Sequence, residues 1–380
     1  MRPRALVAAF VLLALGPAFA AGKPVKNKTK NVEVANLNIL HGFACDPLFD
    51  EDGDQCRVVE RIDLLMEEIA GAGCPDLVTL QENVTAEFVM RNIGELVGPL
   101  EDTTALIRER LPALAERCGF LYEVVFDPRA ARPPPFSRGV DEELILSRHP
   151  VSASETRLLY GPLRPFFSRH VSFARVEHPE GPVDVFTTHL ASGSDLANAP
   201  CGVVGLPPPL VSPPCPPECE AFVDTVRECQ TKQVADFAER LHDADGPAIL
   251  TGDFNAEPGS GEYVELLARG WIDSHLAAGV PECDPVTGES CTSGREDEDL
   301  SDLESPALHQ TARIDYIFVL PPHPAAQCSG VIQTFSHPQR ATTTTGIFAG
   351  APRLPCGPAP LPPCFVSDHS GNQLNLRCQP

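Results

Sequence analysis

The 380-residue sequence predicts a layered α/β (α+β) protein, and three observations carry that reading. Short runs rich in Val, Ile, Leu, Phe and Thr recur at 32–39, 76–82, 144–147, 170–176, 183–190, 248–253 and 314–319, several alternating with polar residues as half-buried strands do. Longer segments between them space their apolar residues as a helix face requires. Beyond the N-terminal leader, nothing approaches the roughly 18 consecutive apolar residues of a membrane-spanning helix. Strands interleaved with helices bury both faces of a sheet when the helices cover the outside.

In chain order, Arg2 and Arg4 precede an apolar run ending in Ala18-Phe19-Ala20, the pattern of a signal peptide over 1–20. Cleavage after Ala20 and retention as an anchor both remain open. Residues 21–31 form a tail, and 32–380 make one elaborated domain. A helix over Arg57–Ala70 aligns Val58, Ile62, Leu65, Met66 and Ile69; another is expected near Thr104–Arg117. Val226, Val234, Phe237 and Leu241 share a face over Thr225–Leu241, and a fourth helix runs from Ser260 as N-cap to Ala268, with Gly270 ending it. Three stretches read as insertions. Ser192–Cys229 carries prolines that cannot join a central strand, since each lacks an amide donor, so a disulfide-braced surface loop is expected there. Glu282–Glu304 and Pro338–Pro363 are loop-like in composition.

The 14 cysteines are even in number and contain no Cys-x-x-Cys, which fits disulfides in an exported protein, extracellular or periplasmic. Candidate pairs are Cys45 with Cys56, Cys219 with Cys229, Cys283 with Cys291 and Cys356 with Cys364; spacing does not fix connectivity. Thiolate clusters of zinc spacing are missing. The formal charge is −23, with no Lys/Arg run to exchange for the counterions of a duplex, so extended nucleic acid is disfavoured as partner. Such acidity is also ordinary for an exported protein. Asp46, Asp50, Glu51, Asp52 and Asp54 crowd one loop, which reads either as solvated charge or as a structural Ca²⁺ site.

Chemistry concentrates at strand ends. Thr251-Gly252-Asp253-Phe254-Asn255-Ala256 follows the apolar Ala248-Ile249-Leu250, and alternation puts Asp253 and Asn255 on one face. Other strands reach Asn38-Ile39-Leu40-His41-Gly42, Gln81-Glu82 and Thr188-His189-Leu190. Asp315 opens a late strand after Arg313-Ile314, and Ser367-Asp368-His369-Ser370 precedes the last one. Singly, each has an ordinary reading: a capped turn at Asp253, a solvated Glu82, a strand-end His189, an Asp315–Arg313 surface bridge. Their joint occurrence is hard to obtain from core packing. His41, His149 and His170 read as structural, Arg138 as a phosphate contact or a loop arginine, and Asn83-Val84-Thr85 as a chance glycosylation match beside Glu82. Neither Gly-x-Gly-x-x-Gly nor a Walker pattern follows a strand.

In this order the motifs resemble the endonuclease/exonuclease/phosphatase superfamily, with type I deoxyribonuclease-like and neutral sphingomyelinase-like members, over roughly Val32 to Leu376. The resemblance implies a four-layered sandwich of two mixed β-sheets flanked by helices. It implies Mg²⁺ or Mn²⁺ at Glu82, with Asn38 and Asp368 nearby. His369 would be the general base, held by Asp315; Asp253 would orient water, and Asn255 and His189 would donate to phosphoryl oxygens. Departures lie in the Pro/Cys-rich insertion, the long Asp315–Asp368 interval and the Asn36-Leu37-Asn38 run, and they bear on specificity. The expected function is a secreted, metal-dependent phosphoesterase, monomeric, hydrolysing phosphodiester or phosphomonoester bonds, with a lipid head group or small phosphoester as the favoured substrate. Peripheral membrane contact through Val203–Val211 is part of that expectation. An extracellular nuclease is the alternative, and a non-catalytic binding protein the third reading.

Overall fold

The computed structural model describes residues 32–40, 57–84, 101–125, 142–161, 169–179, 181–193, 196–202, 214–243, 246–294, 301–320 and 347–376. The leader, the tail, the acidic loop at 46–54, His41, Arg138, Thr85, Val203–Val211 and the Cys45–Cys56 pair lie outside them. In chain order the elements are β1 (Val32–Asn38), α1 (Val58–Gly71), β2 (Leu77–Asn83), α2 (Thr103–Cys118), β3 (Glu123–Val125), β4 (Glu142–Ser147), β5 (Val151–Leu158), β6 (His170–His178) and β7 (Gly181–His189). There follow α3 (Val226–Leu241), β8 (Ala248–Asp253), α4 (Gly261–Ala268), β9 (Ile272–Asp273), α5 (Ser274–Ala277), α6 (Ser301–Glu304), β10 (Asp315–Leu320), β11 (Ile347–Phe348) and β12 (Gly371–Leu376).

Two six-stranded sheets result, ordered β11-β12-β1-β2-β4-β3 and β5-β6-β7-β8-β10-β9. Both are mixed: β1 runs parallel to β2 and β7 to β8, while β12 and β10 return antiparallel. The alternation of each strand sends one set of side chains inward. Val34, Leu77, Ile145, Val185, Ile249, Ile317 and Leu374 form a core between the sheets. The outward set of the first sheet, with Leu37, Leu80 and Leu144, packs on Ile62, Leu65 and Ile69 of α1 and Ile107, Leu111 and Leu114 of α2. Phe186, Leu250 and Phe318 of the second pack on Val234 and Phe237 of α3 and Leu266 of α4. The order helix, sheet, sheet, helix is the expected four-layered sandwich. Each fully buried Leu or Phe contributes about 1.5–3 kcal/mol of transfer free energy.

Helix starts follow the local chemistry. Thr225 and Glu228 form a reciprocal capping box at α3, Ser260 accepts from Tyr263 N at α4, and Asp102 accepts from Ala105 N at α2. Gly270, at φ 90°, ends the turn after α4. Disulfides Cys219–Cys229, Cys283–Cys291 and Cys356–Cys364 join the expected partners, and Cys74–Cys118 and Cys201–Cys215 add two pairs not expected from spacing. Cys201, Cys215, Cys219 and Cys229 lie close enough to hold an ion, but their sulfurs are consumed by two disulfides that brace the insertion. The Pro338–Pro363 stretch is not loop alone, since β11 lies within it. No helix among the described residues is long and apolar enough to cross a membrane.

Candidate active site

The strand directions gather the polar ends at one pole. β1, β2, β7 and β8 finish there, and β10 and β12 begin there because they run antiparallel to β8 and β1. His189 and Asp315 therefore both lie opposite Asp253, one on each flanking strand. Gly252 makes this close lateral packing possible. Its φ is 150°, and a Cβ at this position would come within 2.0 Å of the Thr188 carbonyl oxygen.

Asp253 Oδ2 is the point of convergence. Asn38, arriving from the other sheet, donates from Nδ2 to Asp253 Oδ2 at 3.0 Å and to Glu82 Oε1 at 2.9 Å. Asn38 Oδ1 accepts from Leu40 N, so in this geometry its amide bridges two carboxylates across the sheets. His189 Nε2 lies 3.5 Å and His369 Nε2 3.7 Å from the same Asp253 oxygen. Asp253 Oδ1 accepts from Asn255 N at 2.8 Å, a turn that places Asn255 at φ 48°. Glu82 also has a left-handed backbone, φ 62°, at the irregularity where β2 slips register against β4. That bulge turns its carboxylate into the site, at a backbone cost of about 1–2 kcal/mol for a residue with a Cβ.

His369 Nδ1 lies 2.9 Å from Asp315 Oδ2, which fixes the ring. Thr292 Oγ1 accepts from both Ile314 N and Asp315 N, and Thr292 O accepts from Ser370 N, so one residue beside the Cys283–Cys291 disulfide holds both arms of this pair. Asp368, half-buried, accepts from Ser367 Oγ at 2.9 Å. Burial opposes charge on His369, yet the carboxylates of Asp315, Asp368 and Asp253 outweigh it and raise the imidazole well above its usual range. Burial also pushes Asp315 up to about 6, against the pull of His369.

One residue of this site was not anticipated. Arg169 Nη1 lies 2.7 Å from His189 Nδ1, and both side chains are buried. A guanidinium only donates, so Nδ1 is the acceptor and the ring proton sits on Nε2, facing Asp253. Asn255 Nδ2 then gives its hydrogen to Leu190 O at 3.0 Å. A usable signal existed in the sequence: β6 must begin where its antiparallel neighbour β7 ends, so a cation just before β6 belongs beside His189. Deeper in the molecule, Arg61 of α1 donates to Ile39 O, Leu40 O and Val366 O, tying the turn after Asn38 to the segment leading into Asp368.

Asn38, Glu82, His189, Asp253, Asn255, Asp315 and His369 are thus brought into one linked group, with Asp368 close enough to act on His369. Arg313, by contrast, pairs with Asp273 and Glu282 and leaves Asp315 to the site. Glu82, Asp253, Asp315 and Asp368 outnumber the neighbouring cations, and Asp315 Oδ1 is buried with no hydrogen-bond partner. Donor atoms of Asp253, Asp315 and His369 lie within 4.8 Å of one another. Hard oxygen donors in excess of positive charge fit a Mg²⁺- or Mn²⁺-type ion.

Comparison with known proteins gives a consistent result. The profile of the Endonuclease/Exonuclease/phosphatase family matches residues 35–369. No curated protein matches the sequence. Among solved structures, truncated Caenorhabditis elegans TDP2 is similar at 14% identity, covering 91% of this chain and 97% of that one, with a TM-score of 0.52. An endonuclease/exonuclease/phosphatase family protein from Bacteroides thetaiotaomicron gives 14% identity, coverage of 93% and 99%, and a TM-score of 0.52. For D. rerio TDP2 complexed with single strand DNA product the values are 16%, 91%, 98% and 0.51. At these identities the likeness is one of fold.

Proposed function

The chain belongs to the endonuclease/exonuclease/phosphatase family, and from that premise we propose that it is an exported, divalent-metal-dependent phosphoesterase acting on lipid head groups or other small phosphoesters. The observation that carries the reading is the convergence of Asn38, His189 and His369 on a single oxygen of Asp253, from strands far apart in sequence. Bound at Glu82 and Asp368, a Mg²⁺ or Mn²⁺ ion would polarise a phosphoryl oxygen and offset the carboxylate charge that raises His369.

The chain's own groups divide the remaining work. Asn38 holds the Glu82 and Asp253 carboxylates in fixed relation. Asp253 accepts a hydrogen from the attacking water and aims its lone pair. His369 takes the water's proton on Nε2, while Asp315 keeps the other ring nitrogen as donor. The water oxygen bonds to phosphorus as the ester oxygen leaves. Negative charge gathering on the non-bridging oxygens is met by Asn255 and by the Nε2–H of His189, whose ring Arg169 holds in that tautomer through Nδ1.

Support for a small or lipid-borne substrate comes from the charge of −23 and from the insertion leaving β7 directly after His189. Its described part exposes Phe222 at 69%, Val223 at 64% and Leu196 at 41%, apolar side chains suited to a membrane surface. The nuclease reading has one observation in its favour, the similar D. rerio TDP2 structure with single strand DNA product. Hydrolysis of sphingomyelin vesicles and plasmid DNA in parallel, with Mg²⁺, Mn²⁺, Ca²⁺ or chelator, separates the two. Metal-dependent lipid cleavage alone supports the proposal, and DNA cleavage alone replaces it. Identical traces for wild type, His369→Ala and Glu82→Ala would leave a binding protein.

A further inference from the structure

A second cluster of metal-ligating side chains lies at the opposite pole of the sandwich. Asp76 immediately precedes β2, His149 follows the end of β4, and His178 closes β6. Glu82 is six residues along β2 from Asp76, so at about 3.3 Å per residue the two clusters are roughly 20 Å apart. Asp76 and His149 come from one sheet and His178 from the other. His149 Nε2 lies 3.2 Å from Asp76 Oδ1, and His178 Nε2 lies 3.7 Å from Asp76 Oδ2. The two imidazole rings meet edge to face, centroids 4.7 Å apart, and one donor atom from each of the three residues lies within 4.8 Å of the others.

We propose that Asp76, His149 and His178 form a second metal site, for a d-block divalent cation such as Zn²⁺, that ties the two sheets together at the pole opposite the catalytic group. Ligand atoms about 2.0–2.1 Å from a tetrahedral zinc stand about 3.3 Å from one another; each imidazole lies near that spacing from one oxygen of the Asp76 carboxylate, His149 at 3.2 Å from Oδ1 and His178 at 3.7 Å from Oδ2, so an ion would draw the three donors together by about an ångström or less. Two imidazoles with one carboxylate select Zn²⁺ over Mg²⁺, the reverse of the oxygen-rich catalytic set. The carboxylate is already oriented, since Asp76 Oδ2 accepts from Glu33 N at 3.0 Å. The side chains are sheltered, with Asp76 at 10%, His178 at 7% and His149 at 16% exposure, the last giving an ion its way in. Burial holds His149 below the usual imidazole range; Asp76, despite burial, is held below the usual carboxylate range by the histidines and Glu33 N. Neutral imidazole and ionised carboxylate are the forms that ligate. Arg148 Nη1 stands 3.5 Å from Asp76 Oδ1, with its half-exposed guanidinium 4.4 Å over the Phe120 ring, and would have to give way to a bound cation.

The alternative is a hydrogen-bonded Asp–His–His group that never takes an ion. Chelator-stripped full-length protein is titrated with Zn²⁺ alone, with stoichiometry read by a chromophoric competitor and Tm by calorimetry, for wild type, His149→Gln, His178→Gln and Glu82→Gln. Wild type and Glu82→Gln are expected to gain Tm with zinc, while either histidine variant loses one bound zinc equivalent, or about tenfold or more in its affinity, together with that gain. Equal zinc binding and equal Tm gain in wild type and both histidine variants would overturn the site. Should the variants fail to fold, anomalous diffraction from zinc-soaked wild-type crystals decides. A peak bonded to His149, His178 and Asp76 supports the proposal, and a peak only at the other pole, anywhere among Glu82, Asp253, Asp315, Asp368 and His369, or none, refutes it.

Discussion

Asp184 and Asp315 are both buried aspartates of the second sheet, 2% and 0% exposed, yet their surroundings are opposite. Asp184, near the start of β7, accepts from Arg175 at 2.7 and 3.1 Å, from Asp243 N at 2.7 Å, and meets His242 Nδ1 at 3.1 Å. These donors overcome the desolvation of its burial and hold its carboxyl below the usual range. Asp315, at the other pole, has one oxygen on His369 and the other unpartnered, and burial pushes it up to about 6. The same fold thus completes a charge where the charge is structural and leaves it incomplete where the proposed mechanism has a proton or a cation to handle.

That contrast can be broken in several ways. The largest effect is expected at the catalytic pole: Asp253→Asn should cost about a thousandfold or more in phosphoester hydrolysis. Its Tm should not fall, because one of several crowded carboxylates is removed, and calorimetry beside the kinetic assay checks both. Next in size, Asp184→Asn should lose about 2–4 kcal/mol in denaturant unfolding, since Arg175 and His242 lose their buried partner. Asp315→Asn, equally buried, should stay within about 1 kcal/mol of wild type. Equal losses at the two positions would erase the distinction.

The acid side of the stability profile gives a finer test. Because the folded Asp184 carboxyl ionises below its ordinary 3.8, its stabilisation is complete above that pH and is lost as the pH falls through the folded value. Tm measured from pH 5 downward should therefore drop more steeply for wild type than for Asp184→Asn. Smallest of all, Glu82→Gly should gain up to about 1 kcal/mol by relieving the left-handed backbone, while abolishing metal-dependent hydrolysis. A loss of stability instead would mean that the bulge is held by the glutamate side chain.

How much of this was legible in the sequence follows from burial. Strands apolar on both faces, such as β8 with Ala248, Ile249 and Leu250, declared themselves, and so did helices with a capped start like Thr225 or Ser260. β5 did not, because Val151–Leu158 is an edge strand with no buried residue and mostly polar ones. β3, β9 and β11 are too short for any period to show. The candidate site was legible because its members sit at or beside the ends of strands, most of them apolar, where core packing does not call for polar side chains. Arg169 lacked a motif of its own, and the Asp76–His149–His178 cluster joins residues that only the packing of two sheets makes neighbours. Cys74–Cys118, separated by 44 positions, is hidden for the same reason.

The pairing of β1 with β12 sets Val32 against Leu376, nearly the full length of the domain apart. A chain emerging from the ribosome cannot complete its first sheet until that last strand arrives, and His369 arrives just ahead of it. Assembly of the sheet and assembly of the active site are therefore one event, slow because its contacts are so distant in sequence. A nascent or clipped chain that ends before Gly371 would lack the strand that holds His369 against Asp315.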